Sequence, residues 1–476
     1  MLAESIRGAA QRFGDRACFI DASGRPFTYA EVDRRSDEMA AGLVAEGVGG
    51  GDVVALTLPS VPEYAVAYLA AAKAGAVTAG VNPRLTDAER RTLLEMVGPR
   101  VVVESAEHVA ALSQSGASPP AITPDPDRPV AVVFTSGTTG APKGAVFDER
   151  RLTAICAVDV GLDTWDGGGP MLSSTEFCHV GFMTKLAWYL RTGTTHVLME
   201  RWRADDALRL AAQHRMTSIG GVPPQLALML RSPVFDEVDL SSVERVVLGA
   251  AAASPGLRSE IRSRITPHLS VRYSSTESGG CGTGTAFDAP AEEALFTEGR
   301  PRGPITLAVR RDDGADVEAG DVGEVCLRTP TAMVGYWGDD VASAAAFWPD
   351  GFVRTGDLGF VDDAGCLRMS GRAKEMYVRG GYNVYPGEVE AALSRHPAVA
   401  EVAVIPRADD VMGEVGVAVV VLAPGAAPPS VADLRAHAAD SLAAYKLPED
   451  LRIVDALPLT STHKVDKRAL ARDLPA

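Results

Sequence analysis

The first part of the chain alternates short apolar runs with amphipathic stretches. The runs "DVVALTL", "AVTAGV" and "RVVVES" predict strands, while residues 61–74 and a segment opened by Thr86 and Asp87 predict the helices between them. Such alternation is typical of βαβ units, whose strands form a parallel sheet. Residues 114–128, rich in Ser, Pro and Asp, predict a surface connection that leads into the strand "PVAVVF".

The pattern changes in the second half of the chain. From about residue 299 to residue 371, short strands separated by Gly-Asp turns predict a compact β subdomain. Beyond it, "VEAALSRHPAV" and "SVADLRAHAADSL" predict helices, and "VAEVAVI" and "GVAVVVLA" predict strands. The predicted fold class is therefore α/β: a large N-terminal domain of βαβ-type sheets with a small β subdomain, followed by a small α+β domain.

Composition narrows the class of protein. The 476 residues are enough for two or three domains, and 46 Lys and Arg against 62 Asp and Glu give a net charge of −16. This charge argues against nonspecific binding to nucleic acid or anionic lipid, so local cations must hold any anionic ligand. The six cysteines lack C-x-x-C spacing, which favours reduced, partly buried thiols.

Neither the first residues nor the Ala-rich stretch predicts a membrane segment. The N-terminus lacks a continuous apolar run of the signal-peptide type. The stretch "YAVAYLAAAKAGAVTAGV" is interrupted by Lys73 and is too short to cross a bilayer. We therefore expect a cytoplasmic protein with no membrane span and no nucleic-acid partner.

The loop "TSGTTGAPKG" follows a predicted buried strand and concentrates hydroxyls and glycines beside Lys143. Glycines let backbone N–H groups point toward one place, hydroxyls add donors and lysine adds a positive charge, so the loop suits a polyphosphate. A plain surface turn is the alternative for such a cluster in isolation. An ordinary P-loop ATPase is disfavoured, because Gly144 rather than Ser or Thr follows the lysine.

The loop resembles the phosphate loop of the adenylate-forming superfamily, which includes acyl-CoA synthetases, adenylation domains and firefly luciferase. Further blocks match in the same order: "YSSTES" from Tyr273, "GEVCLRT", "GYW", "RTGDLG", "GRAKEMYVRGGYNVYPGEVE" and "LPLTSTHKVDKRAL". The resemblance covers essentially the whole chain. It implies an N-terminal adenylation domain over residues 1–372 and a mobile C-terminal lid over residues 373–476, with a hinge near Lys374.

The resemblance also implies the substrates and the residues that hold them. The expected small molecules are ATP, Mg²⁺ and CoA, or the phosphopantetheine of an acyl carrier protein in place of CoA. Glu277 and Thr139 are the expected Mg²⁺ residues. The expected ATP-binding residues are Thr135, Ser136, Gly137, Thr138, Thr139, Gly140, Lys143, Thr276, Asp357 and Arg372.

The predicted catalytic residues are Lys464, Glu277 and His179. Lys464 matches the C-terminal lysine that meets the attacking carboxylate and the α-phosphate, where its charge favours the crowded anionic transition state. His179 matches a histidine expected to form the pocket wall and gate. Rotation of the lid would then move Lys464 away and bring Gly380 and Gly381 to the site. Because these glycines lack Cβ atoms, they would form a tunnel through which the narrow thiol-bearing arm of CoA or phosphopantetheine can pass.

The acyl pocket is expected around the segment "STEFCHVGFMTKL". No carboxylate lies within residues 177–184 to pair with an α-ammonium, which favours a plain carboxylic acid, although Glu176 lies just outside. Lys185 is either a solvated helix residue, which we favour, or a binding partner for a second acidic group on the substrate. The expected pocket residues are His179, Val180, Met183, Val222, Gly249, Ala250, Ala251, Tyr273, Ser274 and Gly279.

These expectations predict an acyl- or aryl-CoA ligase that forms an acyl-adenylate from a small carboxylic acid and then a thioester. One alternative is a stand-alone enzyme of secondary metabolism that loads the acid onto a carrier protein. A more remote alternative passes the adenylate to an amine or another nucleophile. Ser274 and His463 stand where relatives usually carry Gly, and they alone suggest a nucleotide-binding homologue without activity.

Overall fold

A computed structural model describes residues 1–135, 142–162, 169–199, 201–372, 375–379, 382–409, 412–439, 441–460 and 464–472. Short 3-10 turns cover Pro233–Asp236 and Ala444–Lys446. The helices are α1 Leu2–Phe13, α2 Tyr29–Ala45, α3 Pro62–Ala74, α4 Asp87–Val97, α5 Ala106–Leu112, α6 Glu149–Leu162, α7 Val180–Met183, α8 Leu186–Thr192, α9 Ala204–Gln213, α10 Pro223–Arg231, α11 Pro255–Arg264, α12 Ala291–Phe296, α13 Asp340–Ala345, α14 Pro386–Leu393, α15 Val431–Ala438 and α16 Lys467–Arg472.

The strands of the described residues belong to five sheets. They are β1 Ala17–Ile20, β2 Pro26–Thr28, β3 Val53–Leu56, β4 Val77–Gly80, β5 Val101–Val103, β6 Pro129–Thr135, β7 Lys143–Asp148, β8 Gly169–Leu172, β9 Thr194–Val197, β10 Ser218–Gly221, β11 Arg245–Gly249, β12 Leu269–Tyr273, β13 Thr283–Gly284, β14 Arg300–Pro301, β15 Thr306–Arg310, β16 Gly323–Arg328, β17 Val353–Val361, β18 Leu367–Arg372, β19 Tyr377–Arg379, β20 Tyr382–Val384, β21 Val399–Asp409, β22 Gly413–Leu422 and β23 Asp450–Ile453.

Three mixed sheets, each with a parallel part, build the large N-terminal domain. Their strand orders are β5-β3-β4-β6-β7, β2-β1-β9-β8 and β10-β11-β12-β13-β14. In the first sheet β5, β3, β4 and β6 run parallel and β7 returns antiparallel beside β6, as expected for βαβ units closed by a hairpin. The predicted α/β class and its parallel sheet are confirmed.

Helix α3 explains the Ala-rich stretch. Every residue of the helix except Glu63 is buried, so small side chains let it pack closely on nearly every face. Its Lys73 is only 2% exposed and forms ion pairs with Asp33 at 2.6 Å and Asp37 at 2.8 Å. Among the described residues, no helix is both long and apolar enough to span a membrane.

An antiparallel sheet, β15-β16-β17-β18, forms the predicted β subdomain, and the sheet β20-β19-β22-β21 with β23 beside β22 forms the small C-terminal domain. The predicted helix over "VEAALSRHPAV" begins earlier and ends at Leu393. Pro397 accounts for the early end, because proline disfavours helical geometry at the residue before it and donates no N–H. The six cysteines are all free, as predicted, and all of them are buried rather than partly buried.

Candidate active site

The carboxyl ends of three parallel strands bring predicted pocket residues to one edge of a sheet. Strands β10, β11 and β12 pair in parallel register. Val222 follows β10 and precedes α10, Gly249 ends β11, and Tyr273 ends β12 with Ser274 directly after it. Ligands of open α/β sheets bind at such carboxyl ends, so this edge is the candidate acyl and nucleotide site.

The segment after β11 has an unusual backbone. Ala250 has a φ of 67°, in the left-handed region that costs an L residue about 1–2 kcal/mol. Just before it, a Cβ on Gly249 would lie 3.3 Å from the Arg272 carbonyl oxygen of the adjacent strand. Local strain of this kind is found at ligand sites, which fits the predicted placement of Gly249, Ala250 and Ala251 along a bound ligand.

A tight turn carries the next two predicted residues, Thr276 and Glu277. Ser275 and Ser278 exchange hydrogen bonds, with each backbone N–H donating to the other's Oγ at 3.0 and 3.1 Å. Gly279 has a φ of 72°, and a Cβ there would lie 2.4 Å from the Thr331 carbonyl oxygen. The turn is therefore rigid, and it holds the side chains of Thr276 and Glu277 in one place.

Tyr336 connects Lys143 of the predicted phosphate loop to this turn, a link that the sequence interpretation missed. Lys143 begins β7 opposite Thr135 of β6, and its Nζ lies 4.8 Å from the centre of the Tyr336 ring. The Tyr336 hydroxyl donates to Oε1 of Glu277 at 2.8 Å. Burial and the nearby Glu277 carboxylate raise the pKa of Tyr336, so the hydroxyl remains a donor.

Backbone pairing along the "GYW" segment explains the position of Tyr336. Val334 N–H donates to Val146 O, and Val146 N–H donates to Gly335 O, so the segment lies along β7 as an additional edge. Trp337 N–H donates to Gly144 O at 2.8 Å. The "GYW" block was the available signal, although no pattern in the sequence indicates a role for its tyrosine.

The donor set around Glu277 fits Mg²⁺. Within the described ranges, no group of three His, Cys, Asp or Glu side chains is placed to hold a metal ion. Mg²⁺ is commonly bound by one or two carboxylates together with substrate phosphates. A single carboxylate held by Tyr336 beside the phosphate-loop lysine matches that arrangement.

Asp357 and Tyr273 form the second polar pair of the site. Asp357, in β17, is 7% exposed, and its Oδ2 accepts a 2.8 Å hydrogen bond from the Tyr273 hydroxyl. Its backbone N–H donates to Thr355 Oγ1, and the Thr355 hydroxyl donates to the Val325 carbonyl. A fixed, largely dehydrated carboxylate of this kind suits a pair of hydroxyl donors such as those of a ribose.

A second polar network fixes the predicted acyl segment. Glu176 pairs with Arg84 at 2.7 Å, and its other oxygen accepts from Ser60 Oγ at 2.7 Å. The Ser60 Oγ also accepts the backbone N–H of Phe177 at 3.0 Å. Because these contacts already engage both carboxylate oxygens, Glu176 is a poor partner for a substrate ammonium, which supports the preference for a plain acid.

Gln225 ties the same segment to the sheet edge. Its Nε2 donates to the Ser174 carbonyl at 2.6 Å, and its Oε1 accepts the Val222 N–H at 3.1 Å. Gln225 is 1% exposed. The buried amide therefore fixes the distance between two predicted pocket walls, a role that no sequence motif indicated.

His179 and Lys464 lie close enough to interact electrostatically. Burial lowers the pKa of half-buried His179; the Glu176 charge opposes this shift, while the charges of Lys464 and Arg84 add to it. Lys464 belongs to a closed turn in which its N–H donates to Thr460 Oγ1 and its carbonyl accepts the Thr460 N–H. The charge of the C-terminal lysine therefore acts on a residue of the predicted acyl pocket.

The two domains also meet at an ion pair. Arg231, the last residue of α10, pairs with Glu401 of β21 at 3.0 Å. Nearby, the Arg395 guanidinium lies 4.9 Å from the centre of the Phe296 ring. These contacts join the N-terminal and C-terminal domains.

The remaining pocket residues differ in their surroundings. Val180 is half-buried beside Gly280, whereas Met183 is 1% exposed and packs in the core against Gly80. Lys185 is half-buried, and its Nζ donates to Cys281 Sγ at 3.1 Å, which differs from the solvated helix position we favoured. Several predicted residues, and the side chain of Arg372, lie outside the described residues: Ser136, Gly137, Thr138, Thr139, Gly140, Lys374, Gly380, Gly381 and His463.

A cavity of about 800 Å³ lies at the opposite end of the same sheet. It is lined by residues at the amino ends of β11 and β12, among them Glu244, Arg245 and His268. Because Gly249 and Tyr273 end these strands and Glu277 follows β12, this cavity is separate from the candidate site.

The fold and the site together define an enzyme that handles a nucleotide phosphate. Residues 6–337 match the AMP-binding enzyme family, and residues 388–464 match the AMP-binding enzyme C-terminal domain. The chain belongs to the AMP-binding enzyme family and is an AMP-forming ligase of the adenylate-forming superfamily.

Relatives with established names cover nearly the whole chain. A fatty acid–[acyl-carrier-protein] ligase, ScoC, of Streptomyces coeruleorubidus is 33% identical over 94% of this chain and 91% of its own. An indoleacetate–CoA ligase of Aromatoleum aromaticum is 33% identical over 93% and 92%. The solved structure of the amide bond synthetase McbA of Marinactinospora thermotolerans has a TM-score of 0.88, with 27% identity over 99% of both chains.

Proposed function

We propose that this ligase activates a small carboxylic acid with ATP and then transfers the acyl group to the thiol of CoA. The observation that carries the proposal is the convergence of Lys143, Tyr336 and Glu277, and the charge of Lys464 acting on His179 supports it. Similarity to a named CoA ligase supports the choice of acceptor.

In the first half-reaction a carboxylate oxygen of the acid bonds to the α-phosphorus, and the bond from that phosphorus to the bridging oxygen of pyrophosphate breaks. Two unit charges at about 4 Å repel by roughly 4 kcal/mol at an effective dielectric near 20. Lys464 and Lys143 supply the positive charge that offsets this repulsion. Mg²⁺ held at Glu277 would neutralise phosphate charge further.

The protein residues position the nucleotide for this step. Asp357, already fixed by Tyr273, accepts the ribose hydroxyls. Thr276, on the rigid turn, donates to the α-phosphate, and the phosphate loop with Thr135 surrounds the leaving pyrophosphate. His179 remains neutral, because burial and nearby cations depress its pKa, so it acts as a pocket wall rather than an acid.

In the second half-reaction the thiol sulfur attacks the acyl carbon, AMP leaves with the anhydride oxygen, and the thiol proton passes to solvent. Lys464 must withdraw from the site first, since it occupies the side from which sulfur approaches. The hinge at Lys374 and the tunnel residues Gly380 and Gly381 are proposed for this movement.

A pyrophosphate-release assay over aryl, short aliphatic, dicarboxylic and amino acids tests the proposal. Each acid is assayed with and without CoA, and the product is identified by mass spectrometry. We expect pyrophosphate release with plain acids and an acyl-CoA product when CoA is present. Absence of release with every acid, while ATP binding persists, would contradict the proposal.

Two other acceptors have specific support. Similarity to a carrier-protein ligase favours a phosphopantetheine thiol, which reaches the adenylate by the same route as CoA. Likeness to an amide bond synthetase favours an amine. Parallel reactions of one acid with CoA, a holo-carrier protein and an amine distinguish them by rate and by product mass.

A further inference from the structure

Residues 250–253, which we call the β11 loop, are held at both of their ends. Gly249 precedes them within β11, which is paired with β10 on one side and β12 on the other. Ser254 follows them as the N-cap residue of α11. Ala250 and Ala252 are exposed, so the surface of the loop at the candidate site is open to a ligand.

Arg258 anchors the far end of this loop from inside the protein. It lies near the start of α11 and is only 3% exposed. Its Nε donates to the Ala253 carbonyl at 3.1 Å, its Nη1 to the Thr297 carbonyl at 2.7 Å and its Nη2 to Oε1 of Glu298 at 2.6 Å. One guanidinium therefore joins the β11 loop to a segment that is distant in the sequence.

The segment that Arg258 reaches is bonded to the β subdomain. The Glu298 N–H donates to the Leu367 carbonyl, and the Leu367 N–H donates to the Gly299 carbonyl, both at 2.8 Å. Leu367 begins β18, and β18 pairs with β17, the strand that carries Asp357. Arg258 therefore connects the β11 loop to the subdomain that holds the predicted ribose carboxylate.

The backbone strain at Ala250 depends on this anchoring. A residue in the left-handed region keeps that conformation only where the surrounding structure holds it. Strand β11 fixes one end of the loop and Arg258 fixes the other, so the residues between them must span a set distance. Arginine suits this task because its planar guanidinium presents its donors in a rigid fork, whereas lysine concentrates them on one nitrogen.

We propose that Arg258 is a positioning residue for the nucleotide, which holds the β11 loop against the base while Asp357 holds the ribose. This inference rests on the proposed function. Arg258 does not touch the nucleotide; it acts through the loop, which lies at the carboxyl end of β11, where ligands of open α/β sheets bind. Because the base is joined to the ribose, a loop tied to the subdomain of Asp357 is placed to meet the base.

The main test is Arg258→Lys. Lysine retains a cation to pair with Glu298, but its single nitrogen cannot reach all three acceptors. In pyrophosphate release we expect KM for ATP to rise by roughly fivefold or more, while kcat changes by less than about twofold.

Two nucleotide analogues separate the base from the ribose. We expect the wild type to prefer ATP over inosine triphosphate, which differs only in the base, and Arg258→Lys to reduce that preference by roughly threefold or more in kcat/KM. The preference for ATP over 2′-deoxy-ATP, which differs only in the ribose, should be unchanged in the variant, because Tyr273 still fixes Asp357.

Two further variants complete the test. Arg264→Met is the matched control from the end of α11, since Arg264 donates to the Leu230 carbonyl and to Glu260, both at 2.9 Å, and neither contact includes the β11 loop. It should leave KM for ATP and both preferences unchanged even where it lowers Tm. Arg258→Gln combined with Glu298→Gln removes both charges together, and should reproduce the losses of Arg258→Lys if that variant fails to fold.

An unchanged KM for ATP, or an unchanged preference over inosine triphosphate, in the folded Arg258 variants overturns the inference while acid activation itself stands. A wild type that uses both nucleotides equally also overturns it, since the base would then not be recognised. An equal rise of KM in Arg264→Met would trace the effect to stability and would overturn it as well. Absence of pyrophosphate release with every acid contradicts the proposed function, and this inference with it.

Discussion

The Tyr336 hydroxyl donates a 2.8 Å hydrogen bond to Oε1 of Glu277, and the ring of the same tyrosine lies 4.8 Å from Lys143 Nζ. One side chain therefore orients the proposed Mg²⁺ carboxylate and contacts the cation of the phosphate loop. The two groups come from distant parts of the sequence, and their relative position depends on Tyr336.

Replacement of Tyr336 by Phe should weaken use of MgATP. A hydrogen bond to a charged group is worth about 1.5–3 kcal/mol, so we expect roughly a tenfold or greater fall in kcat/KM for MgATP, with partial recovery at high Mg²⁺. Pyrophosphate release measured across Mg²⁺ concentrations checks this. As a control, Tyr377→Phe removes a buried hydroxyl of the C-terminal domain that has no hydrogen-bond partner among the described residues, and should leave the Mg²⁺ dependence unchanged.

Replacement of Lys464 by Ala should separate the two half-reactions. Adenylation should fall by about 100-fold or more, because the cation at the α-phosphate is lost, while thioester formation from supplied acyl-adenylate should persist. Rapid-quench assays of each half-reaction measure the difference. Lys446→Ala is a suitable control, since Lys446 pairs with Glu388 at 2.5 Å within the C-terminal domain. Equal losses in both half-reactions of Lys464→Ala would refute the assignment.

The same substitution should change the titration of His179. Lys464 disfavours the imidazolium, so its removal should raise the pKa of His179 toward the usual value of 6.5. NMR of histidine-labelled protein measures this, with His179→Gln to assign the signal. Lys446→Ala, which removes a cation paired with Glu388, should leave the pKa of His179 unchanged. An unchanged pKa in Lys464→Ala would show that the lysine does not approach the pocket in solution.

Disruption of the Arg231–Glu401 pair should affect adenylation alone. Both side chains are partly exposed, and such pairs contribute about 0.2–1 kcal/mol, so Arg231→Ala should slow adenylation by about fivefold at most. The double charge reversal Arg231→Glu with Glu401→Arg should recover the rate. Arg150→Ala breaks an exposed pair with Asp127 within the N-terminal domain and should have no effect on either half-reaction. If the double charge reversal does not restore the adenylation rate at low salt, the result would count against a role for this pair in lid docking.

Ala250→Gly should stabilise the protein. Relief of the left-handed backbone conformation outweighs the entropy cost of glycine, with a net gain of about 0.5–1 kcal/mol in the free energy of unfolding. Ala251→Gly is the matched control. Among the non-glycine residues that the structure describes, only Arg215 and Ala250 have positive φ. Glycine at position 251 relieves no strain and should therefore lower the free energy of unfolding. Denaturant titrations of the three proteins give the comparison, and two variants shifted in the same direction would contradict the argument.

Short-range signals explain why much of the fold was predictable. The parallel strands from Val53 to Thr135 follow apolar runs, and α4 begins at a capping box in which Thr86 and Glu89 satisfy each other's backbone donors. Such signals depend on a few neighbouring residues. These signals do not predict where α14 ends. The helix ends at Leu393 because of Pro397, four residues further along the chain.

The candidate site was predictable only where a motif marks it. Glu277, Asp357 and Lys464 lie within recognisable blocks, but their partners come from other parts of the chain. Tyr336, Gln225 and Arg84 act through contacts across 50 or more residues, as between Gln225 and Ser174. Periodicity and local composition carry no information on such pairs, so only the folded chain reveals them.

The bond between Tyr273 and Asp357 joins the edge of one sheet to a strand of another, since the two residues lie in β12 and β17. A ribose held there would bridge two separately hydrogen-bonded layers. The affinity for nucleotide would then depend on how the two sheets are aligned. Mild denaturant would abolish nucleotide binding before either sheet unfolds.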